Sequence, residues 1–176
     1  GNASIEIKAV TTSGVRGSQT LLFKINPVNI NDCEIGRIST KSYTGAARTP
    51  TVTIKYGDET LLYALDYGMT YADNVDLGTG TAYAYGMDNF TGAATVLFNI
   101  RPAKVANLRE TSAGSTSATI KWDNVTRADG YEVCYSYSPA MKKRKTLTLA
   151  GSSQTSLILA NLNVHSTLYV TVRAMS

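Results

Sequence analysis

Apolar and polar residues alternate over short runs in this chain, and turn residues separate the runs. Thr51-Val52-Thr53-Ile54-Lys55 places Val52 and Ile54 on one face, the period-two pattern of a half-buried strand. Tyr56-Gly57-Asp58-Glu59-Thr60 reads as a hairpin turn leading into Leu61-Leu62-Tyr63, since Gly and Asp between apolar runs favour tight reversals. Val28-Asn29-Ile30 and Cys33-Glu34-Ile35 open this region. Residues 66–71 form a further strand ended by Ala72-Asp73-Asn74, and Gly78-Thr79-Gly80 introduces residues 81–85. Gly86-Met87-Asp88-Asn89 then turns the chain into residues 94–100. Farther on, Ala118, Ile120 and Trp122 share a face, as do Tyr131, Val133 and Tyr135; strands follow at 145–149, 156–159 and 168–174. No stretch has helical period and helical length. The pattern predicts an all-β protein built from two-layer sandwiches.

A near-repeat organises the first hundred residues. Gly-Thr-Gly-Thr-Ala-Tyr-Ala-Tyr-Gly at 78–86 and Val-Leu-Phe-Asn-Ile-Arg-Pro-Ala at 96–103 echo the opening of the chain. The opening reads Gly1-Asn2-Ala3-Ser4-Ile5-Glu6-Ile7 and, after Val15-Arg16-Gly17, Leu21-Leu22-Phe23-Lys24-Ile25-Asn26-Pro27-Val28. Phe23 and Phe98 lie 75 residues apart, Gly1 and Gly78 lie 77 apart, so the first copy carries two extra residues in its turn, where insertion costs little. A fixed phase of this size marks stacked, similar modules. Residues 1–25 are then the terminal hairpin of a truncated preceding repeat, too short to bury a core alone. They are expected to dock on the second module, pair with another edge, or swap between molecules.

Two resemblances follow from particular motifs. Tyr43-Thr44-Gly45 with Pro50, then Asp66-Tyr67, Tyr71-Ala72-Asp73-Asn74, Gly78, Gly86, Asn89-Phe90-Thr91-Gly92 and a closing Phe98-Asn99-Ile100 resemble the bacterial immunoglobulin-like repeat of large Gram-positive surface proteins. That likeness covers about 26–101, with Phe90 in place of the family's usual Tyr and Asp73 in place of an Asn. Pro102, Val105 and Leu108, then Ile120-Lys121-Trp122, Gly130-Tyr131-Glu132-Val133-Cys134-Tyr135, and Leu168 to Ala174 resemble a fibronectin type III domain over about 102–176. The tyrosine corner of that family would fall at Leu168, two residues before Val170, where this chain has no hydroxyl. The resemblance therefore implies a missing corner hydrogen bond, at a cost on the order of 1 kcal/mol, with Tyr169 pointing outward. It also implies either that the family's last strand, G, is absent from 102–176 or that this domain closes differently.

Composition agrees with this reading. Charged residues make up 17% of 176, below the usual quarter, and Thr, Ser, Val, Tyr and Gly fill the difference. Eleven Tyr stand against three Phe and one Trp, which suits half-buried rings with wet hydroxyls. The net charge of +4 is mild and suits solubility. No run of 18 apolar residues occurs, so no membrane-spanning helix is expected. Cys33 and Cys134 fall in different modules; a disulfide between them is not expected, and no metal-type spacing exists.

Few residues suggest chemistry. Lys142-Lys143-Arg144-Lys145 is the one charge run, expected as a solvated hairpin tip that can also contact an anion such as a teichoic acid or a sulfated glycan. No aromatic residues interleave it, which argues against nucleic acid. Tyr67, Tyr71, Tyr83 and Tyr85 are candidates for a glycan-stacking row, Tyr83 with Tyr85 on one face and Tyr67 with Met69 and Tyr71 on one face. Asp66, Asp73, Asp76 and Asp88 match no calcium-loop spacing. His165, the sole histidine, falls in a turn where the resembled family usually has Gly. No nucleophile elbow, phosphate loop or Cys–His pair can be assembled.

The expected architecture is thus all-β, tandem immunoglobulin-like and fibronectin type III-like β-sandwiches, with boundaries at 1–25, 26–101 and 102–176. The expected role is a non-catalytic, extracellular spacer or adhesion module pair of a bacterial surface or secreted protein, without cofactor or metal. Its expected partners are cell-wall or host glycans, surface proteins and neighbouring repeats, and neither nucleic acid nor membrane. The alternative is an accessory, carbohydrate-binding region of a large secreted hydrolase.

Overall fold

The computed structural model describes residues 2–9, 14 and 17–176. These residues hold strands and turns, one short 3-10 turn at Ile30–Asp32 and no α-helix. The Cα positions divide the chain into two compact units, residues 1–38, 50–71 and 81–96 in one and 39–49, 72–80 and 97–176 in the other.

The first unit begins with β1 (Asn2–Lys8) and β2 (Ser18–Lys24), an antiparallel hairpin forming a sheet of its own. It continues through β3 (Val28–Asn29) and β4 (Glu34–Ile35), while β5 (Lys41–Ser42) belongs to the second unit. β6 (Ile54–Tyr56) and β7 (Glu59–Thr60) join β4 in a three-stranded sheet, β4–β6–β7. The Gly57-Asp58 reversal between them is the turn expected from sequence, with Gly57 at φ +60°, a backbone region that glycine enters freely. β6 is shorter than the alternation of 51–55 suggests, yet Val52 and Ile54 are both buried.

β8 (Tyr67–Ala72), β9 (Gly78–Gly86), β10 (Phe90–Thr91) and β11 (Ala93–Arg101) follow. One sheet has the order β5–β11–β9–β8, and β10 pairs with β3. Strict alternation governs the long strands. On β9 the buried residues are Gly80, Ala82 and Ala84; on β11 they are Phe98 and Ile100, with Ala94 and Val96 half-buried in the same phase. A Cβ on Gly80 would strike the Phe98 ring, so glycine is what lets that ring lie flat across the neighbouring strand.

Two pairings are invisible in the sequence. β10 runs parallel to β3 and β5 runs parallel to the end of β11, each over only two residue pairs. A two-residue ladder leaves no period to read.

The segment 102–176 is a two-sheet sandwich within the second unit. β12 (Arg109–Ala113), β13 (Ala118–Lys121) and β16 (Ser156–Leu159) form one sheet, order β12–β13–β16. β14 (Gly130–Ser136), β15 (Lys145–Ala150) and β17 (Tyr169–Met175) form the other, order β15–β14–β17. Ile120, Leu157 and Leu159 from the first sheet meet Tyr131, Val133, Leu149, Val170 and Val172 from the second around Trp122. The Trp122 and Tyr131 rings meet edge to face with centroids 5.4 Å apart, a preferred aromatic geometry.

Leu168 packs on this core and Tyr169 points outward, as the absent corner tyrosine implies. The connection is nevertheless tethered. The Asn163 backbone N–H donates to the Tyr137 hydroxyl at 2.9 Å, so a tyrosine at the far end of β14 ties down the loop that precedes β17. The expected loss of a hydrogen bond is thereby offset by a different residue.

Candidate functional site

The basic run sits on the β14–β15 hairpin, and all four residues Lys142, Lys143, Arg144 and Lys145 are exposed. Its shape is set by Ser136, a buried polar residue that the sequence reading passed over. The Ser136 hydroxyl donates to the Lys142 carbonyl at 2.6 Å and accepts from the Ser138 N–H at 3.1 Å. Met141 and Lys143 take left-handed backbone angles, φ 52° and 51°, so the cationic tip is a pinned turn. Lys145 Nζ stands 5.9 Å over the Tyr135 ring centroid, within cation–π range.

On the outward face beside this loop, Glu132 makes two contacts with Arg173, Oε1 to Nε at 2.8 Å and Oε2 to Nη2 at 2.9 Å. The Arg173 hydrogen bond holds the Glu132 carboxyl below its ordinary value; burial opposes this, and the Cys134 thiol and the charges of Arg173 and Arg144 assist. Arg173 is therefore paired with a carboxylate.

The four tyrosines do not form one row. Tyr83 and Tyr85 are exposed on the outer face of β9, at 41% and 42%, and the Tyr85 ring lies against Gly68. Tyr67 is buried and donates its hydroxyl to the Val52 carbonyl at 2.6 Å. Tyr71 is half-buried and donates to the Pro50 carbonyl at 3.0 Å. Burial raises both phenol pKa values above the ordinary one. A single stacking surface of Tyr67, Tyr71, Tyr83 and Tyr85 is thus corrected to an exposed pair, Tyr83 and Tyr85. The parity of each strand was legible; which face of β8 turns inward was not, because both of its faces carry apolar residues.

The aspartates serve turns. Asp66 accepts from the Leu62 N–H at 2.7 Å, and Asp73 and Asp88 occupy left-handed positions. Asn74 does not bond its own turn as a turn former would; it donates to the Arg48 carbonyl, and its own carbonyl accepts from the Arg48 N–H. Asp76 pairs with Arg127 at 3.1 Å, and the Arg127 guanidinium lies 5.8 Å from the Tyr43 ring centroid. This Arg127–Asp76–Tyr43 cluster within the second unit had no sequence signal, since its members are far apart and isolated along the chain. Among the described residues no three His, Cys, Asp or Glu side chains gather as a metal-ligand set.

The Thr44-Gly45 and Thr91-Gly92 pairs bend the backbone, Gly45 and Gly92 having φ +77° and +76°. Their aromatic rings, Tyr43 and Phe90, are half-buried rather than in the core; Phe90 meets Tyr56 edge to face at 6.2 Å. His165 is exposed with φ 56°, the left-handed geometry that explains a glycine at this turn in the resembled family. Both cysteines are free thiols. Cys134 is buried on the outer face of its sheet, 3.4 Å from the Thr146 hydroxyl. Burial, then the charge of Asp32, raises the Cys33 thiol pKa.

No family model matches the chain, and no curated protein matches it. Among solved structures it is similar to a redesigned β-sandwich protein, at 25% identity over 42% of this chain and 79% of that one, with a TM-score of 0.39. It is also similar to the FN1–FN3 domains of chicken CNTN1, at 13% identity over 99% and 70% of the two chains, TM-score 0.40. A third similarity is to a stretch of titin domains, at 10% identity over 99% and 68%, TM-score 0.36. The all-β sandwich assignment rests on the strand order and core given above.

Proposed function

We propose that this chain is a non-catalytic module pair of a bacterial surface or secreted protein, acting extracellularly as a spacer and adhesive element. The observation that carries the reading is the repeat. β1 and β2 fall on β9 and β11 at the sequence phase, and Ala3 faces Phe23 where Gly80 lies against Phe98. Recurrence of a whole hairpin with its cross-strand pair is the signature of an array in which each unit stacks on the next. The described polar groups fit the same reading, because the side chains of Asp66, Tyr67, Tyr71 and Ser136 are each engaged with backbone groups.

The adhesive part is assigned to the pinned loop of Lys142, Lys143, Arg144 and Lys145, which fits polyanionic cell-wall or host glycans. The test is a glycan and polyanion array probed with the wild-type chain and with a variant carrying alanine at all four positions. Binding to polyanions that disappears in the variant and in high salt is the expected result. Binding to neutral sugars that survives the variant would favour the second reading, an accessory carbohydrate-binding region of a secreted hydrolase, for which the exposed pair Tyr83 and Tyr85 speaks. Absence of any binding would leave only the spacer part of the proposal standing.

A further inference from the structure

The hairpin β1–β2 presents a sheet face that its repeat copy buries. Cross-strand partners Ala3 and Phe23, Ile5 and Leu21, and Ile7 and Gln19 share one face; Asn2 and Lys24, Ser4 and Leu22, Glu6 and Thr20, and Lys8 and Ser18 lie on the other. The second face is polar apart from the exposed Leu22 and carries the Lys8–Glu6 ion pair at 3.3 Å. The first has no charge at all. At the repeat phase Ile5 and Ile7 fall on Ala82 and Ala84, and Leu21 and Phe23 fall on Val96 and Phe98. In the second copy Ala82 and Ala84 are 0% exposed and Phe98 is 2% exposed. In the hairpin Ile5 is 54%, Ile7 56%, Leu21 49% and Phe23 44% exposed.

The edges differ in the same way. β9 is flanked by β8 and β11 by β5, whereas among the described residues β1 and β2 form a two-stranded sheet with each other. A two-stranded ribbon with one apolar face has little stability by itself in water, and two open edges invite further strands.

We infer that this face is a docking surface for the β3–β8 half of a module of this same kind, so that donor hairpin and acceptor half together close one sandwich. The occupant follows from the repeat. In the second copy the partners of this hairpin are supplied by residues 28–77, and both copies share the alternation and a phenylalanine opposite a small residue, Ala3 for Phe23 and Gly80 for Phe98. The side chains also set the specificity. Isoleucines stand where the second copy has Ala82 and Ala84, so the acceptor half has room opposite Ile5 and Ile7 that the half at residues 28–77 lacks. This mismatch disfavours capture of the hairpin by its own neighbour, since extra methylenes overpack a filled core.

The test fuses a second copy of residues 26–77 to the start of the full chain, joining residue 77 to residue 1 at the natural phase. The fusion is made with the wild-type hairpin and with Ile5→Ala and Ile7→Ala, which fit it to this particular acceptor. Hydrogen exchange is read at the β1 and β2 amides. The expected result is slowing by at least about tenfold in the alanine fusion relative to the parent chain, with weaker slowing in the isoleucine fusion. Adding Phe23→Asp to the alanine fusion is expected to abolish the slowing. Exchange as fast in the alanine fusion as in the parent overturns the inference. So does a parent chain that is dimeric and becomes monomeric with Phe23→Asp, since the face would then pair with itself.

Discussion

The segments 26–101 and 102–176 build their sheets by different means. The second region has ladders of middle length throughout its second sheet, with β14 pairing β17 over seven residues and β15 over six, and a core built around two large aromatics, Trp122 and Tyr131. The first region uses strands of two or three residues for much of its architecture, and small residues, Gly80, Ala82 and Ala84, line β9. Side-chain hydroxyls replace part of the missing ladder there, Tyr67 and Tyr71 donating to the carbonyls of Val52 and Pro50. Where backbone pairing is short, a ring with a polar tip supplies both packing and a hydrogen bond to otherwise unpaired backbone.

The largest expected effect breaks the comparison on the side of the second region. Trp122→Ala removes the centre of that core and is expected to cost about 3–5 kcal/mol, with loss of the NMR signals of β13, β14 and β17 while those of β8 and β9 persist. Next, Gly80→Val drives a side chain into the Phe98 ring and is expected to destabilise 26–101 by about 1–3 kcal/mol, measured as a lowered denaturation midpoint. Tyr67→Phe leaves the Val52 carbonyl without its hydroxyl donor, at a cost of about 1–2 kcal/mol. Tyr137→Phe is the corresponding change in 102–176; its tie to Asn163 is exposed, so about 0.5–1 kcal/mol is expected, with faster exchange at the Asn163 amide.

The smallest effect is electrostatic. The Glu132 carboxyl is held low by Arg173, so its contribution is present above the unfolded-state value and is lost as pH falls through the folded one. Glu132→Gln is therefore expected to flatten the acid side of the stability curve slightly and to leave neutral stability nearly unchanged, as an exposed pair contributes little. A drop at neutral pH comparable to that of Tyr67→Phe would refute this ranking.

Alternation was enough to place β13 through β17 within a residue or two, because each is at least four residues long and one face of each meets the core. Among the short elements, β3 and β4 fall within the expected Val28-Asn29-Ile30 and Cys33-Glu34-Ile35, but β5 and β10, held by two-residue pairings, had no signal. β12 starts at Arg109, after Ala103 and Val105, which pack on the core without joining a ladder. For the candidate site, the position and exposure of Lys142 to Lys145 followed from charge between two strands. The Ser136 pin did not, because nothing in a lone serine at a strand end says that its hydroxyl turns inward. The inward face of β8 was ambiguous for the opposite reason, Tyr67, Gly68 and Met69 being buried in succession.

The two thiols have a practical consequence. Cys33 is half-buried beside the 3-10 turn of the first region, and Cys134 is buried on β14 of the second. Each is the sole sulfhydryl of its segment, 26–101 or 102–176, so the native chain carries two internal clocks. Under a thiol-specific label, modification of Cys134 times the opening of 102–176 and modification of Cys33 times that of 26–101. Mass spectrometry of the two peptides would report, without any engineered probe, which sandwich lets go first under heat, denaturant or pulling force.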